Sequence, residues 1–192
     1  MAKVLVAYFS HAGQNYSHGG IRNLPVGNTE VVAKKIHAMV DSDLFYIDTV
    51  KKYPDDHMKK IEIAKQEFHE DARPELTAKV DNMEAYDTVI LAFPNWWTTM
   101  PMAVFTFLES YDFSGKTICP LITHGGSGFS NSINDIKRLA PGAEVTEGLA
   151  IYGDDVAECD KNVEKWLIKI GLYSRAKLIA DRKTAPRYMQ CH

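Results

Sequence analysis

Lys3–Glu30, KVLVAYFSHAGQNYSHGGIRNLPVGNTE, decides how the rest of the chain is read. Val4–Phe9 is an unbroken apolar run rich in β-branched and aromatic residues, which predicts a strand covered on both faces. Ser10 and Gly13 follow at once, and Gly27-Asn28-Thr29 then open a helical pattern that continues through Ile36. A strand, a Gly/Ser/Thr loop and a helix N-terminus together make an anion site. The first amides of a helix lack intrahelical acceptors and point at whatever occupies the loop. The hydroxyls of Ser10 and Thr29 add donors, and glycine lets the backbone come close. The loop holds neither a Walker lysine nor a G-x-G-x-x-G pattern. A phosphate there would be held by neutral donors and the helix dipole rather than by a side-chain cation. An ordinary strand-to-helix turn with a capped helix is the competing reading of the same residues.

The chain has 192 residues, most simply one domain with a full core. Its composition, 45% hydrophobic and 24% charged, is that of an ordinary soluble globular protein. A net charge of -3 with acids and bases interspersed points away from nucleic acid and from acidic lipid surfaces. Cys119, Cys159 and Cys191 form no C-x-x-C pair and no disulfide framework, and Cys119 reads as a packing residue. The opening runs straight into a strand without a charged leader and apolar signal core, and no apolar run approaches the roughly 20 residues of a membrane span. These features predict a cytoplasmic protein with no membrane insertion.

Past the first helix (about Thr29–Val40), Leu44–Ile47 reads as a second strand and Asp55–Asp71 as a helix with Ile61, Ala64, Lys65 and Phe68 on one face. Thr88–Phe93 predicts a third strand, and Pro101 is expected to start the helix that runs to Glu109. Thr117–Thr123 is a fourth apolar strand, followed by a helix over Ser130–Leu139. Glu144–Ile151 is a fifth strand broken at Gly148, and Asn162–Ile170 is the last helix, stopped at Gly171. Strands alternating with helices, each strand nearly all apolar, predict an α/β fold: a doubly wound, five-stranded parallel sheet with helices on both faces. Ligands of such sheets bind beyond the carboxyl ends of the strands, where strand order reverses. The loops after strands one, three and four leave that edge, and all three are unusual.

Pro94-Asn95-Trp96-Trp97-Thr98-Thr99-Met100 places two tryptophans in a loop, where exposure is costly unless something covers them. One is expected to pack beneath the loop and the other to form a wall for a flat ring; the sequence does not say which does which. The third loop is Thr123-His124-Gly125-Gly126-Ser127-Gly128. Its glycines bring backbone donors close to a ligand. His124 is open to two readings, a proton-handling group near neutral pH or a loop histidine facing solvent. His11 lies by the first loop, and the remaining histidines show no metal spacing, so no metal site is expected.

These three motifs resemble the flavodoxin family. The loop Y-F-S-x-x-G followed by N-T-E-x-V-A is similar to that family's phosphate loop, which grips the 5′-phosphate of FMN. The resemblance implies Ser10, Asn28 and Thr29 as phosphate ligands, with Gly13, Gln14, Asn15 and Gly27 alongside. Residues 14–27 are an insertion relative to the short loop; either Gly13 or Gly27 supplies its glycine. The insertion is expected to form a flap over the phosphate. P-N-W-W-T-T-M-P resembles a flavin-bordering loop, implying Pro94, Asn95, Trp96, Trp97 and Thr98 around the ring. Where that loop commonly carries glycine, this chain has Thr98, which is expected to resist positive φ. Thr123, His124, Gly125 and Gly126 would meet the flavin pyrimidine. Short flavodoxins stack a tyrosine on the ring from this loop, whereas here Phe129 is the nearest aromatic, so the outer face of the ring is expected to be open. The resemblance spans about Lys3–Leu172, leaving 173–192 as a C-terminal extension that docks on a subunit or partner or is simply solvated.

The resemblance implies an FMN-binding electron carrier serving redox partner proteins, with no catalytic residue of its own. The alternative is an FMN-dependent NAD(P)H:quinone-type oxidoreductase, and a third reading is a regulatory domain that has lost flavin. Carriers commonly surround the flavin with acidic residues that steer basic partners, and these loops contain no Asp or Glu.

Overall fold

The computed structural model describes residues 3–17 and 19–174. The tail expected to dock or to be solvated, with Cys191 and His192, lies outside the described residues beyond Ser174. Strands β1 (Val4–Tyr8), β4 (Ser42–Tyr46), β5 (Thr88–Pro94) and β6 (Thr117–His124) form one parallel sheet in the order β4-β1-β5-β6. Two short segments, β7 (Glu144–Val145) and β8 (Leu149–Tyr152), both pair with β6 and together complete the far edge. This is the expected doubly wound α/β sheet. Residues 13–24 add what the sequence reading did not foresee, an antiparallel hairpin of β2 (Gly13–Ser17) and β3 (Gly20–Leu24).

Period-two alternation along the central strands divides the core into two layers. Leu5, Ala7, Phe9, Val89, Leu91, Phe93, Ile118 and Ile122 face α3 (Met102–Glu109) and α4 (Ser132–Leu139). Val4, Val6, Tyr8, Ile90, Ala92, Cys119 and Leu121 face α1 (Asn28–Met39) and α5 (Asp160–Lys169). Both faces are therefore apolar, which is why β1 reads as a continuous run. Cys119 is a buried core residue, and burial raises its thiol pKa. The chain leaves β1 to one side for β4 and crosses back to β5 on the other. That reversal opens a crevice at the carboxyl ends of β1, β5 and β6.

Two local expectations need correction. Helix α2 (His57–His69) buries Lys60 and Ala64, while Lys65 and Phe68 are exposed, so its inner face is turned from the one predicted. The reason is tertiary: the hairpin offers acceptors to Lys60 that spacing alone does not reveal. Pro101 caps α3 instead of starting it, its extended backbone presenting a carbonyl to the Val104 amide at 2.8 Å. The fifth strand is broken where expected, into two segments separated by residues 146–148. There Gly148 fits against the Phe129 ring and the Pro120 carbonyl.

A Cβ at position 148 would lie 2.4 Å from Phe129 Cζ and 2.9 Å from the Pro120 oxygen. Gly148→Ala is therefore expected to cost roughly 1–3 kcal/mol by overpacking, read as a lower urea midpoint with unchanged slope.

Candidate functional site

The crevice is a cleft of about 380 Å³. At one end the chain leaves β1 through Ser10 and enters α1 through Gly27, its N-cap. Ser10 Oγ accepts a hydrogen bond from the Glu30 amide at 3.0 Å, so the strand end and the helix start are joined across the insertion. Gly27 closes the neck: a Cβ there would meet Ser10 Oγ at 2.2 Å and the His11 carbonyl oxygen at 2.6 Å. Of the two glycines offered by the sequence, Gly27 lies at this closure, while Gly13 stands on the hairpin against Asp55. The amides of Asn28 and Thr29 begin the helix, where its own geometry supplies no acceptor. Thr29 Oγ1 lies 2.8 Å from Thr123 Oγ1 at the end of β6, both residues buried. Gly153 leaves room for Asn28, whose Nδ2 would be 2.9 Å from a Cβ at that position.

The insertion supplies Asn15 and Tyr16 to the cleft, and α2 supplies His57, Lys60, Ile61 and Ala64. Lys60 is 2% exposed. Its ammonium donates to the Gln14 carbonyl at 2.6 Å and Asn15 Oδ1 at 3.0 Å, and lies 3.3 Å from His11 Nδ1. Burial pulls its pKa from 10.5 to about 8, with the Asp55 carboxylate opposing. Burial and the neighbouring Lys60 charge lower the pKa of both His11 and His57. His57 Nδ1 is buried with no hydrogen-bond partner among the described residues. Among the described residues lining the cleft there is no Asp or Glu. Nothing in the sequence singles out Lys60, because Lys59, Lys60 and Lys65 are equal candidates by spacing. Tyr16 was hidden because the insertion read as polar loop.

The two tryptophans differ in their packing. Trp96 packs edge-on against Phe9 at 5.2 Å and Tyr53 at 5.0 Å, between ring centroids. Trp97 is 39% exposed, with Nε1 donating to the Ile61 carbonyl at 3.0 Å and Lys65 Nζ 5.7 Å from its ring centroid. Trp96 and Thr99 exchange two backbone hydrogen bonds, 2.9 and 3.1 Å, around a two-residue turn. At its centre Trp97 has φ 50° and Thr98 φ 66°. Thr98 adopts the positive φ it was expected to resist, because the surrounding bonds impose it. Asn131 N donates to the Thr98 carbonyl at 2.9 Å, and buried Asp135 accepts from Thr99 Oγ1 at 2.6 Å. Such a turn favours Asn and Gly, so Trp-Thr is held there at a cost.

Asn95 lines the cleft but spends its side-chain amide on the glycine loop, donating to the Gly128 carbonyl at 2.9 Å. His124 turns back on its own loop, Nδ1 accepting from the Gly126 amide at 3.0 Å, with burial lowering its pKa. That bond fixes the neutral ring with its proton on Nε2. Phe129 is packed beneath Gly148, away from the loop's outer surface. Of the candidate residues, Ser10, Asn15, Asn28, Thr29, Pro94, Asn95, Trp96, Trp97, Thr123, His124 and Gly125 line the cleft. Gly13, Gln14, Gly27, Thr98 and Gly126 are not among the residues that line it. No group of three or more His, Cys, Asp or Glu able to hold a metal gathers among the described residues. No described helix is long and apolar enough to cross a membrane.

A sequence model of the flavodoxin family matches residues 3–170. Among solved structures, a protein of Bacteroides eggerthii assigned as a flavoprotein is 30% identical, with a TM-score of 0.72, over 88% of this chain and 98% of its own. A counterpart from Bacteroides uniformis is 29% identical, TM-score 0.68, over 87% and 98%. A Lactobacillus acidophilus flavoprotein in complex with FMN shares the fold at 21% identity and TM-score 0.59, over 84% and 98%. A search of curated proteins found no match. The chain belongs to the flavodoxin family.

Two measurements check the energetics of the site. Thr98→Gly is expected to stabilise the apoprotein by about 1 kcal/mol in urea unfolding, since it relieves the left-handed strain of a β-branched residue. The Lys60 pKa is lowered on folding, so the unfolded chain binds more protons between pH 8 and 10.5. The stability of wild type relative to Lys60→Met is therefore expected to rise across that window as pH increases. A flat difference would contradict the burial of a charged ammonium.

Proposed function

We propose that the cleft binds FMN and that the protein is a flavodoxin-type electron carrier acting between redox partner proteins. One observation carries this reading. The Thr29–Thr123 hydroxyl pair joins the helix N-terminus to the glycine loop, so a ligand with an anionic end and a flat ring meets both at once. The residues suit that ligand. First-turn amides and the Ser10 and Thr29 hydroxyls face the anion, no described carboxylate lines the cleft, and aromatic side chains border the remainder. The FMN bound by the Lactobacillus acidophilus protein agrees with this assignment. When bound, FMN supplies one- and two-electron redox chemistry. The chain supplies binding, orientation and access. Ser10, Asn28 and Thr29 hold the phosphate; Thr123, Gly125 and the tryptophan loop border the ring.

A second reading, an NAD(P)H:quinone-type oxidoreductase, is favoured by the α2 wall. His57, with His11 in the same cleft, puts ionisable groups there that a pure carrier does not need. They suit an acceptor that takes up protons as it is reduced.

The Ser10→Ala, Thr29→Ala double variant is expected to lose at least about tenfold in FMN affinity, with a smaller loss for riboflavin from the loosened neck. Equal losses would remove the phosphate assignment. For FMN-loaded protein reduced anaerobically, two separated one-electron stages with dithionite and no bleaching by NADPH mark the carrier. Direct two-electron bleaching by NADPH alone marks the oxidoreductase.

A further inference from the structure

Because the neck closes at Ser10 and Gly27, the hairpin of residues 13–24 is not needed to complete the anion site. It crosses the cleft instead. Its base is tied to the start of α2, where Gln14 N donates to the Asp55 carbonyl at 2.9 Å and His57 N donates to Gln14 Oε1 at 3.1 Å. Lys60 adds its bonds to the Gln14 carbonyl and Asn15 Oδ1. An ammonium has three hydrogens, and the contacts to Gln14, Asn15 and His11 use all three, so this lysine serves as an internal clamp. The end of β2 is tied to another rim, where Ser17 Oγ donates to the Asp154 carboxylate. Between these anchors stands Tyr16.

Tyr16 lies over the glycine loop. A Cβ added to Gly125 would come 3.4 Å from Tyr16 Cδ1, so the small residue there leaves space for the ring. Tyr16 lines the cleft, yet 60% of its surface is exposed, which leaves most of its aromatic area to be covered by a ligand. The glycine loop offers backbone but no aromatic side chain of its own, since Phe129 is turned into the core. We infer that the hairpin is the outer wall of the flavin site, with Tyr16 as the residue that lies against the ring and Lys60 as the residue that positions it. The inference rests on the FMN reading. It replaces the expected open outer face with a covered one, so partners reach the flavin at its edge, and a planar donor must displace the hairpin before it can stack.

The test is titration of the apoprotein with FMN and riboflavin at neutral pH, followed by flavin fluorescence. The proteins are wild type, Tyr16→Ala, Tyr16→Phe, Lys60→Met and the Tyr16→Ala, Lys60→Met pair, with the thermal midpoint of each apoprotein as the fold control. Tyr16→Ala is expected to weaken FMN and riboflavin alike, by about tenfold, and to leave the bound flavin brighter because a stacked quencher is gone. Tyr16→Phe should retain wild-type affinity. Lys60→Met should reproduce the Tyr16→Ala loss, and the double variant should lose no more than Tyr16→Ala alone. If wild type binds FMN and Tyr16→Ala matches it in affinity and brightness, the hairpin wall is overturned while the cofactor reading stands. Losses that add in the double variant overturn the role given to Lys60. Failure of wild type to bind FMN overturns the cofactor reading itself.

Discussion

One hydrogen bond, from the Glu30 amide to Ser10 Oγ, holds the end of β1 against the first turn of α1, and the cleft depends on it. Twenty residues separate the two partners, and an insertion of that size would ordinarily let the strand end and the helix start drift apart. The closure at Gly27 prevents this, because only a residue without a side chain fits between Ser10 and the His11 carbonyl. Once the neck is fixed, the first-turn amides face the crevice and Thr29 falls within reach of Thr123. The helix start and the glycine loop are then parts of one arrangement at the edge of the sheet.

The tryptophan loop shows the same logic from the side of strain. Two consecutive left-handed residues, neither of them glycine, persist only where neighbouring bonds over-determine them. Here those bonds are the paired amides of Trp96 and Thr99, the Asn131 amide on the Thr98 carbonyl, and Asp135 on the Thr99 hydroxyl. Arg138 and Asn131 also donate to Asp135, so its buried carboxylate is surrounded by donors. The loop is thereby pinned to α4, and Trp97 is held at the mouth of the cleft instead of collapsing into the core.

Much of the fold was legible because the physics that sets it is local. The near-continuous apolar runs at Val4–Phe9 and Thr88–Phe93 mark strands covered on both faces, and the order of strands and helices leaves few topologies. The three loops of the cleft were legible for the same reason, since Ser10, the tryptophans and Thr123–Gly126 follow strand ends and Asn28 and Thr29 open a helix. What stayed hidden depends on contacts distant in sequence. The inner face of α2 is decided by whether the hairpin offers acceptors to Lys60, and no periodicity reports that. The φ of Thr98 is decided by Asn131 and Asp135, more than thirty residues away. Which tryptophan packs and which faces outward is decided by Tyr53 and Ile61, both on segments that precede β5.

The clamp at Lys60 also binds two distant parts of the gene to each other. A lysine buried in α2 without acceptors would be a charge stranded in an apolar wall, and the acceptors it uses all come from residues 11–15. Shortening the loop to its minimal form would strip that charge of its Gln14 and Asn15 acceptors unless position 60 changed as well. The insertion and the lysine therefore form a single heritable unit. A chain that loses one has reason to lose the other, and grafting the hairpin onto a short-loop relative would require carrying the lysine with it.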